Sequence, residues 1–306
     1  MAQIHNGAML VNDVLVFSNP ISGKGKGKAI AHRLASALGE AGLAVTAFTQ
    51  RASSIDRTQF GASPLAAVVI GGDGTLRAVT ERLIDVYDDS TMPPIAVIPL
   101  GTANLMGRHL GLRWRGAPSD RIVAAIRRRR IRRIDAARAN GRLFLLMAGV
   151  GIDGQVVHEL DAVRKGPIDY VSYVLPAVRA LAGYRYPAIR VTIDGKRRFG
   201  PKPGIAFVGN VAEYGTGFPL LKHARSDDGL LDVCVLPCAS RGDAIRLLMR
   251  AAVGEHVDLE GALYTTGHKV RIDANHDVPV QVDGDASGHT PLEIELLDRR
   301  VPFIVE

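Results

Sequence analysis

The sequence predicts two domains, an α/β domain built on a parallel sheet followed by a β-rich domain, and three observations predict it. From Asp13 to about residue 112, short apolar runs alternate with helix-like amphipathic stretches, the pattern of a parallel sheet covered by helices. From about residue 138 the segments are mostly strand-like and carry Asn140-Gly141, Asp194-Gly195 and Asp283-Gly284, which signal tight turns. At 306 residues the chain also accommodates two domains, given roughly 100–200 residues for each. The expected bounds are 1–137 and 138–294, with the tail at about 295–306 completing the first domain and a hinge near 137 over a cleft.

Each element follows from its local pattern. VLVFSNP reads as a strand, Lys28 to Gly39 as an amphipathic helix, LAVTAFT and LAAVVIGG as strands, TLRAVTERLIDVY as a helix and IAVIPLGTAN as a strand ending in a turn. In the second half RIDAARANGRLFLLMAG reads as a hairpin. RVTIDGKRRFG, GIAFVGN, LLDVCVLP, KVRIDA, VPVQVDGD and PLEIELL supply further strands, with helical interruptions at 155–182 and 240–254.

Composition narrows the class. Apolar residues at 47% and charged residues at 23% are ordinary for a globular chain. No apolar run reaches the roughly 18 residues of a membrane span, and MAQIHNGAMLVND lacks a secretory pattern, so a cytoplasmic location is expected. Cys234 and Cys238 have no second ligand pair at zinc spacing and read as packing residues. The net charge of +7 is concentrated: nine arginines and one aspartate lie between Arg113 and Arg133, leaving the remainder slightly acidic. That cluster reads either as a solvated helix face or as a contact for an anionic leaflet. A nucleic-acid partner is not expected, since aromatics are scarce and only Trp114 interrupts the cluster.

Four glycine-rich stretches carry candidate chemistry. AVVIGGDGTLRA places Gly71-Gly72-Asp73-Gly74-Thr75 at the carboxyl end of a buried strand, where α/β sheets bind ligands, and before a helix start that favours an anion. Asp73 would repel a phosphate unless a metal or hydroxyl lies between them. IPLGTANLMG, one strand later, puts Gly101, Thr102 and Asn104 on the same sheet edge, with Asn104 able to cap the next helix. SNPISGKGKGKA lacks the Walker spacing because Ala29 follows Lys28, yet its backbone, Ser22 and lysines suit a nucleotide phosphate. GVGIDG at 149–154 matches a dinucleotide fingerprint, but Asp169, the acidic residue at the right distance, does not stand at a strand end. QVDGDASG reads either as an ordinary hairpin or as the place of an acid that takes a proton from a hydroxyl.

Together NPISG (19–23), GGDGT (71–75), GTAN (101–104), AGVGIDG (148–154), SDDGLLDV (226–233) and DGD (283–285) resemble the diacylglycerol kinase catalytic-domain family, relatives of NAD kinases. The resemblance implies an N-terminal ATP-binding domain, a C-terminal lipid-binding domain and transfer of the γ-phosphoryl group of ATP to a lipid hydroxyl. It implies nucleotide contacts from Asn19, Pro20, Ile21, Ser22, Gly23, Thr49, Gly71, Gly72, Gly74, Thr75, Leu76, Thr102 and Asn104. It implies that Asp73 acts through Mg²⁺, that Asp228 and the carbonyls of Arg225 and Leu230 form a structural metal loop, and that Asp285 is the general base. The cofactors are then ATP and Mg²⁺. The partners are a lipid substrate and an anionic membrane surface met peripherally, with a homodimer compatible.

Three departures bear on activity. Arg77-Ala78 stands where the family often has Asn-Glu, Leu105 where an aspartate often follows GT-x-N, and Asp285 where the family has glutamate. They keep open a non-catalytic lipid- or nucleotide-binding protein, and an NAD kinase, which shares GGDGT, is the nearest enzyme alternative.

Overall fold

The computed structural model describes residues 13–19, 26–113, 118–163, 183–215 and 217–306. The chain divides into two compact units: residues 1–133 with 301–306, and residues 134–300. The expected division lay at 137 and 294.

In the first unit, strands β1 (Asp13–Ser18), β2 (Ala44–Phe48), β3 (Ala66–Gly71) and β4 (Ile95–Pro99) are mutually parallel in the order β2-β1-β3-β4. β1, β3 and β4 are nearly continuous buried runs of Val, Ile, Leu, Ala and Phe, as strands covered on both faces require, whereas β2 at the edge is only partly buried. Helix α1 (Lys26–Glu40) buries Ile30, Leu34 and Leu38, α2 (Asp73–Val86) follows β3, and α3 (Leu105–His109) follows β4. Helix α4 (Pro118–Arg128) adds Ile122 and Ile126 to a core shared with Val14, Val16, Val68, Ile70 and Ile98. The final residues of the chain return here, where Phe303 pairs parallel with Ile95.

Four of the nine arginines of the cluster bond to backbone carbonyls inside this unit. Arg121 donates to the Arg113 carbonyl (3.2 Å), Arg127 to Ala41 (2.6 Å), Arg130 to Glu306 (3.0 Å) and Arg132 to His109 (3.5 Å). Trp114 and Arg115 lie outside the described residues.

The second unit is antiparallel. β5 (Ile131–Ala139) enters it and pairs with β6 (Arg142–Phe144) through the Asn140-Gly141 turn. β7 (Met147–Val150), α5 (Ile152–Val163), β8 (Ala188–Ile193) and β9 (Lys196–Gly209) follow. Then come β10 (Leu231–Pro237), α6 (Arg241–Ala252), β11 (Leu263–Gly267), β12 (Lys269–Ala274), β13 (Pro279–Val282), β14 (Asp285–His289) and β15 (Leu292–Ile304). The three hairpin turns have both central residues at positive φ (Asn140 48° and Gly141 81°, Asp194 47° and Gly195 75°, Asp283 51° and Gly284 80°), the geometry that favours Asn-Gly and Asp-Gly. The core joins Phe144, Val150, Ile189, Val191, Val208, Val233, Ile272 and Val280.

The structure differs from the sequence reading at several elements. The run LFLLMAG is not one hairpin strand: β6 stops at Phe144, and β7 pairs with β9 and β13 instead. The LYTTG strand β11, which is short and polar, is an addition. α5 begins at Ile152, and the remainder of the helix expected at 155–182 lies outside the described residues beyond Val163. Cys234 and Cys238 are free and buried, and burial pushes both thiols up to about 12. Among the described residues no helix is long and apolar enough to cross a membrane.

Candidate functional site

The parallel register places the carboxyl ends of β1 to β4 on one edge of the first unit. Phe17 is level with Phe48, Ser18 with Ile70, and Gly71 with Pro99. Asn19, Thr49, the Gly71–Thr75 turn and the Gly101–Asn104 turn all leave from that edge. β2 and β3 lie on opposite sides of β1, so Asn19 and Gly72 flank the point where the strand order reverses, the usual ligand crevice of such a sheet. Asn19, Thr49 and Thr102 are at least partly exposed there. Pro20, Ile21, Ser22 and Gly23 lie outside the described residues.

The two glycine turns are packed on one another. A Cβ added to Gly72 would stand 3.1 Å from the Cα of Gly101, and one added to Gly101 would stand 2.8 Å from the Cα of Gly72. Gly71 is required for another reason, since a Cβ there would meet the Thr75 side chain at 2.7–2.9 Å. The N–H of Leu100 donates to the Gly71 carbonyl (2.9 Å), tying the turns together. Leu76 is buried at 2% exposure and can offer a ligand only its backbone.

Asp73 opens α2 and reaches across to α3. Its carboxylate accepts from the N–H of Leu105 (3.0 Å) and of Met106 (3.1 Å), so it satisfies the first amides of α3. Burial raises its pKa above the ordinary aspartate value, and bonds from backbone amides, Met106 first, oppose that rise. The expectation that Asn104 caps this helix is corrected. Asn104 is left-handed (φ 48°), its side chain accepts from Gly101 N–H (2.7 Å) and donates to the Gly101 carbonyl (2.6 Å), and the cap comes from Asp73.

In the second unit the turn at Asp283 governs two neighbours. Asp283 accepts from the N–H groups of Leu145 (3.0 Å), Leu146 (3.0 Å) and Met147 (3.1 Å), which breaks the apolar run into β6 and β7. Asp285, at the start of β14, pairs with Arg142 at 2.9 Å and is only partly exposed. Gln281 accepts from Gly284 N–H (2.9 Å), so its amide nitrogen is turned toward Asp153.

GVGIDG is a strand, turn and helix, but its strand β7 is antiparallel to both neighbours, so it is no dinucleotide βαβ unit. Its glycines serve packing. A Cβ at Gly149 would collide with the Asp153 carboxylate, Gly151 has φ 122°, and a Cβ at Gly154 would collide with the Pro279 carbonyl. The Asp153 carboxylate accepts from the Tyr214 hydroxyl, and burial raises its pKa to about 6.

The loop before β10 is held from below. Asp135 donates its N–H to Ser226 O (2.6 Å), accepts from Gly229 N–H (2.8 Å) and pairs with Arg300 at 2.6 Å. Asp228 accepts from Leu230 N–H (3.1 Å) and is exposed. Asp228 and the carbonyls of Arg225 and Leu230, the expected metal loop, are all oxygen donors, the kind that suits a hard cation. At Asp73 the fit is narrower. Leu105 leaves a single carboxylate there, and a cation so placed would share it with the α3 amides and depend on phosphate oxygens for other ligands. Among the described residues no three His, Cys, Asp or Glu side chains cluster at metal-ligand geometry. Sequence reasoning named Asp283 only as part of an Asp-Gly turn, not as the acceptor for the amides of Leu145 to Met147, and it missed Asp135, Arg142 and Gln281.

Comparison with known proteins agrees with this architecture. Residues 13–139 match the diacylglycerol kinase catalytic domain, and residues 147–305 match the YegS C-terminal NAD kinase beta sandwich-like domain. A diacylglycerol kinase of Mycobacterium tuberculosis (strain ATCC 25618 / H37Rv) is 27% identical over 295 residues, 93% of this chain and 92% of that protein. A diacylglycerol kinase of Bacillus subtilis (strain 168) is 26% identical over 241 residues, 78% and 77% of the two chains. Among solved structures, a putative diacylglycerol kinase from Bacillus anthracis superposes with a TM-score of 0.72 at 24% identity, covering 96% of this chain and 97% of that one. With an N-terminal parallel α/β unit, a C-terminal β-rich unit and both domains matched in order, the chain belongs to the diacylglycerol kinase catalytic-domain family, a family of lipid kinases.

Proposed function

We propose that the protein is an ATP- and Mg²⁺-dependent lipid kinase that phosphorylates the hydroxyl of a diacylglycerol-like or sphingosine-like lipid. The observation that carries this reading is the meeting of Gly72 and Gly101 at the carboxyl edge of a parallel sheet, with Asp73 between them and α3. Bare backbone at two adjoining turns admits phosphates closely, and the first amides of α2 at Gly74 and Thr75 favour their charge. The relatives named diacylglycerol kinase support the choice of a lipid acceptor.

When bound, Mg²⁺-ATP supplies the electrophilic phosphoryl group and neutralises its charge. The residues of the chain do the rest. Asn19, Thr49 and Thr102 border the nucleotide, joined by the other residues of NPISG, and Asp73 offers the one carboxylate to the cation. Asp285 takes the proton of the lipid hydroxyl as its oxygen bonds to the γ-phosphorus and the bond from that phosphorus to the bridging oxygen of ADP breaks. Arg142 holds Asp285 in orientation until then. Asp228, with the carbonyls of Arg225 and Leu230, holds a structural cation.

The protein is read as cytoplasmic and peripherally bound to an anionic membrane, where Arg128 and Arg129 contribute. A second reading, a non-catalytic binding protein, is favoured by the engagement of both Asp73 oxygens with α3 and by Leu105. Transfer of label from γ-³²P-ATP to diacylglycerol, sphingosine, phosphatidylglycerol or NAD tests both. Label in one lipid supports the kinase and names its substrate. Label in NAD alone replaces the acceptor, and no label from folded protein favours the second reading.

A further inference from the structure

Helix α6 carries an apolar face that the second unit does not use. The helix is anchored on one side by Leu247 and Ala251, which are buried, and at its start by Ser240, whose hydroxyl accepts from Asp243 N–H (3.1 Å). Asp243 in turn accepts from Ala239 N–H (3.0 Å). The opposite side presents Ile245 (48% exposed), Leu248 (59%), Met249 (62%) and Val253 (68%), with Ala252 also exposed among them. These positions stand at i, i+3, i+4, i+7 and i+8, a single stripe along the helix. Of the five large hydrophobic residues exposed among the described residues, four belong to this stripe, so it is a patch and not scatter.

Charge borders the stripe. Arg246 and Arg250 run along one flank at i and i+4, and Arg241 stands at the N-terminal end; all three are exposed. Arg246 lies 3.6 Å from Asp243 and Arg250 lies 2.7 Å from Glu255, exposed pairs of the kind that add little stability and exchange readily for another anion. An outward apolar stripe edged by arginines on a helix anchored along its back is the pattern of a helix lying in a bilayer interface. A second copy of the chain fits less well. A stable complex takes roughly 800 Å² from each partner, more than one stripe of four large side chains on a single helix supplies.

We infer that α6 docks the protein on an anionic lipid bilayer, with Ile245, Leu248, Met249 and Val253 at the acyl boundary and Arg246 and Arg250 among the headgroup phosphates. The choice of a bilayer as partner rests on the lipid-kinase reading, but the docking is measured without catalysis. The full chain is floated with vesicles of phosphatidylglycerol and phosphatidylcholine, and with phosphatidylcholine alone. Wild type binds the anionic vesicles; Ile245→Ser/Leu248→Ser/Met249→Ser lowers the partition coefficient by about tenfold or more; Arg246→Glu/Arg250→Glu removes the preference for anionic lipid. An environment-sensitive dye on Met249→Cys, the native thiols being buried, shifts to the blue when vesicles are added.

Unchanged flotation of both multiple variants overturns the inference. So does a Met249→Cys thiol that no reagent reaches in the absence of lipid, since another part of the chain then covers it. A wild-type dimer in lipid-free solution that the serine variant dissociates assigns the stripe to a second copy and overturns it as well. Vesicle binding as expected, in a protein that transfers no phosphoryl group, keeps the docking helix and removes the kinase reading. Phosphorylation of a dispersed short-chain lipid at wild-type rate by the serine variant separates docking from the reaction.

Discussion

Asp285 and Arg142 form an ion pair at 2.9 Å across the start of β14 and β6, so the residue proposed as base is held by a guanidinium in the same unit. Asp285→Asn keeps the shape of the side chain but removes the proton acceptor. The expected fall in kcat is about 10² or more with unfolding transitions unchanged. Steady-state kinetics on the identified lipid checks it, and an unaltered rate assigns the base elsewhere. Arg142→Gln should lower kcat less than Asp285→Asn does, because it loosens the orientation of the carboxylate and leaves the acceptor in place.

Asp73 caps α3 and is proposed to hold Mg²⁺, and variants separate the two. Asp73→Ala deletes the bonds to Leu105 and Met106 and should cost about 1–2 kcal/mol, the scale of a lost helix cap. Asp73→Asn retains one oxygen acceptor and should cost less, yet abolish turnover, because a neutral amide is a poor ligand for Mg²⁺. Chemical denaturation beside the transfer assay distinguishes the two. Full activity of Asp73→Asn would remove the metal role.

Asp153 predicts a pH dependence of stability with a definite sign. Its carboxyl is held at about 6 in the folded chain against an ordinary 3.8. Between those values the folded state keeps a proton that the unfolded state has released, so stability falls as pH rises through that window and levels off above it. The decline attributable to this group is on the order of 2–3 kcal/mol. Denaturation midpoints of wild type and Asp153→Asn across pH 4 to 7 should converge in slope only above about 6; parallel curves throughout would refute the assignment.

Gly149→Ala and Gly154→Ala should each destabilise the second unit by about 1–3 kcal/mol or more, by forcing Asp153 or the Pro279 backbone to move. Gly42→Ala tests a different cost: its Cβ meets nothing within 4 Å, but φ is 76°, so only backbone strain remains. Thermal unfolding of the three variants ranks clash against strain.

Much of the fold was legible because its signals are local. The Val- and Ile-rich runs before Gly71 and Pro99 marked strands of a parallel sheet, and Asn140-Gly141, Asp194-Gly195 and Asp283-Gly284 marked turns that need positive φ. The break in LFLLMAG was not legible, because nothing in that run interrupts it. It is imposed by Asp283, which lies 138 positions after Leu145. The capping of α3 by Asp73 was hidden for the same reason, and the nearer Asn104 offered a plausible local cap that tertiary packing diverted to Gly101. Of the candidate site, the turns at 71–75 and 101–104 were visible as glycine patterns. The clamps formed by Asp135 and Arg142 were not, since each acts on a residue distant in sequence.

The contact between Gly72 and Gly101 makes two loops from separate strands into one mechanical part. No side chain lies between their Cα atoms to absorb a displacement, so a shift of either turn is handed directly to the other. Inheritance at the two positions is coupled in the same way. A methyl group on one consumes the clearance that a methyl on the other would need, so the cost of the double alanine variant departs from the sum of the single costs.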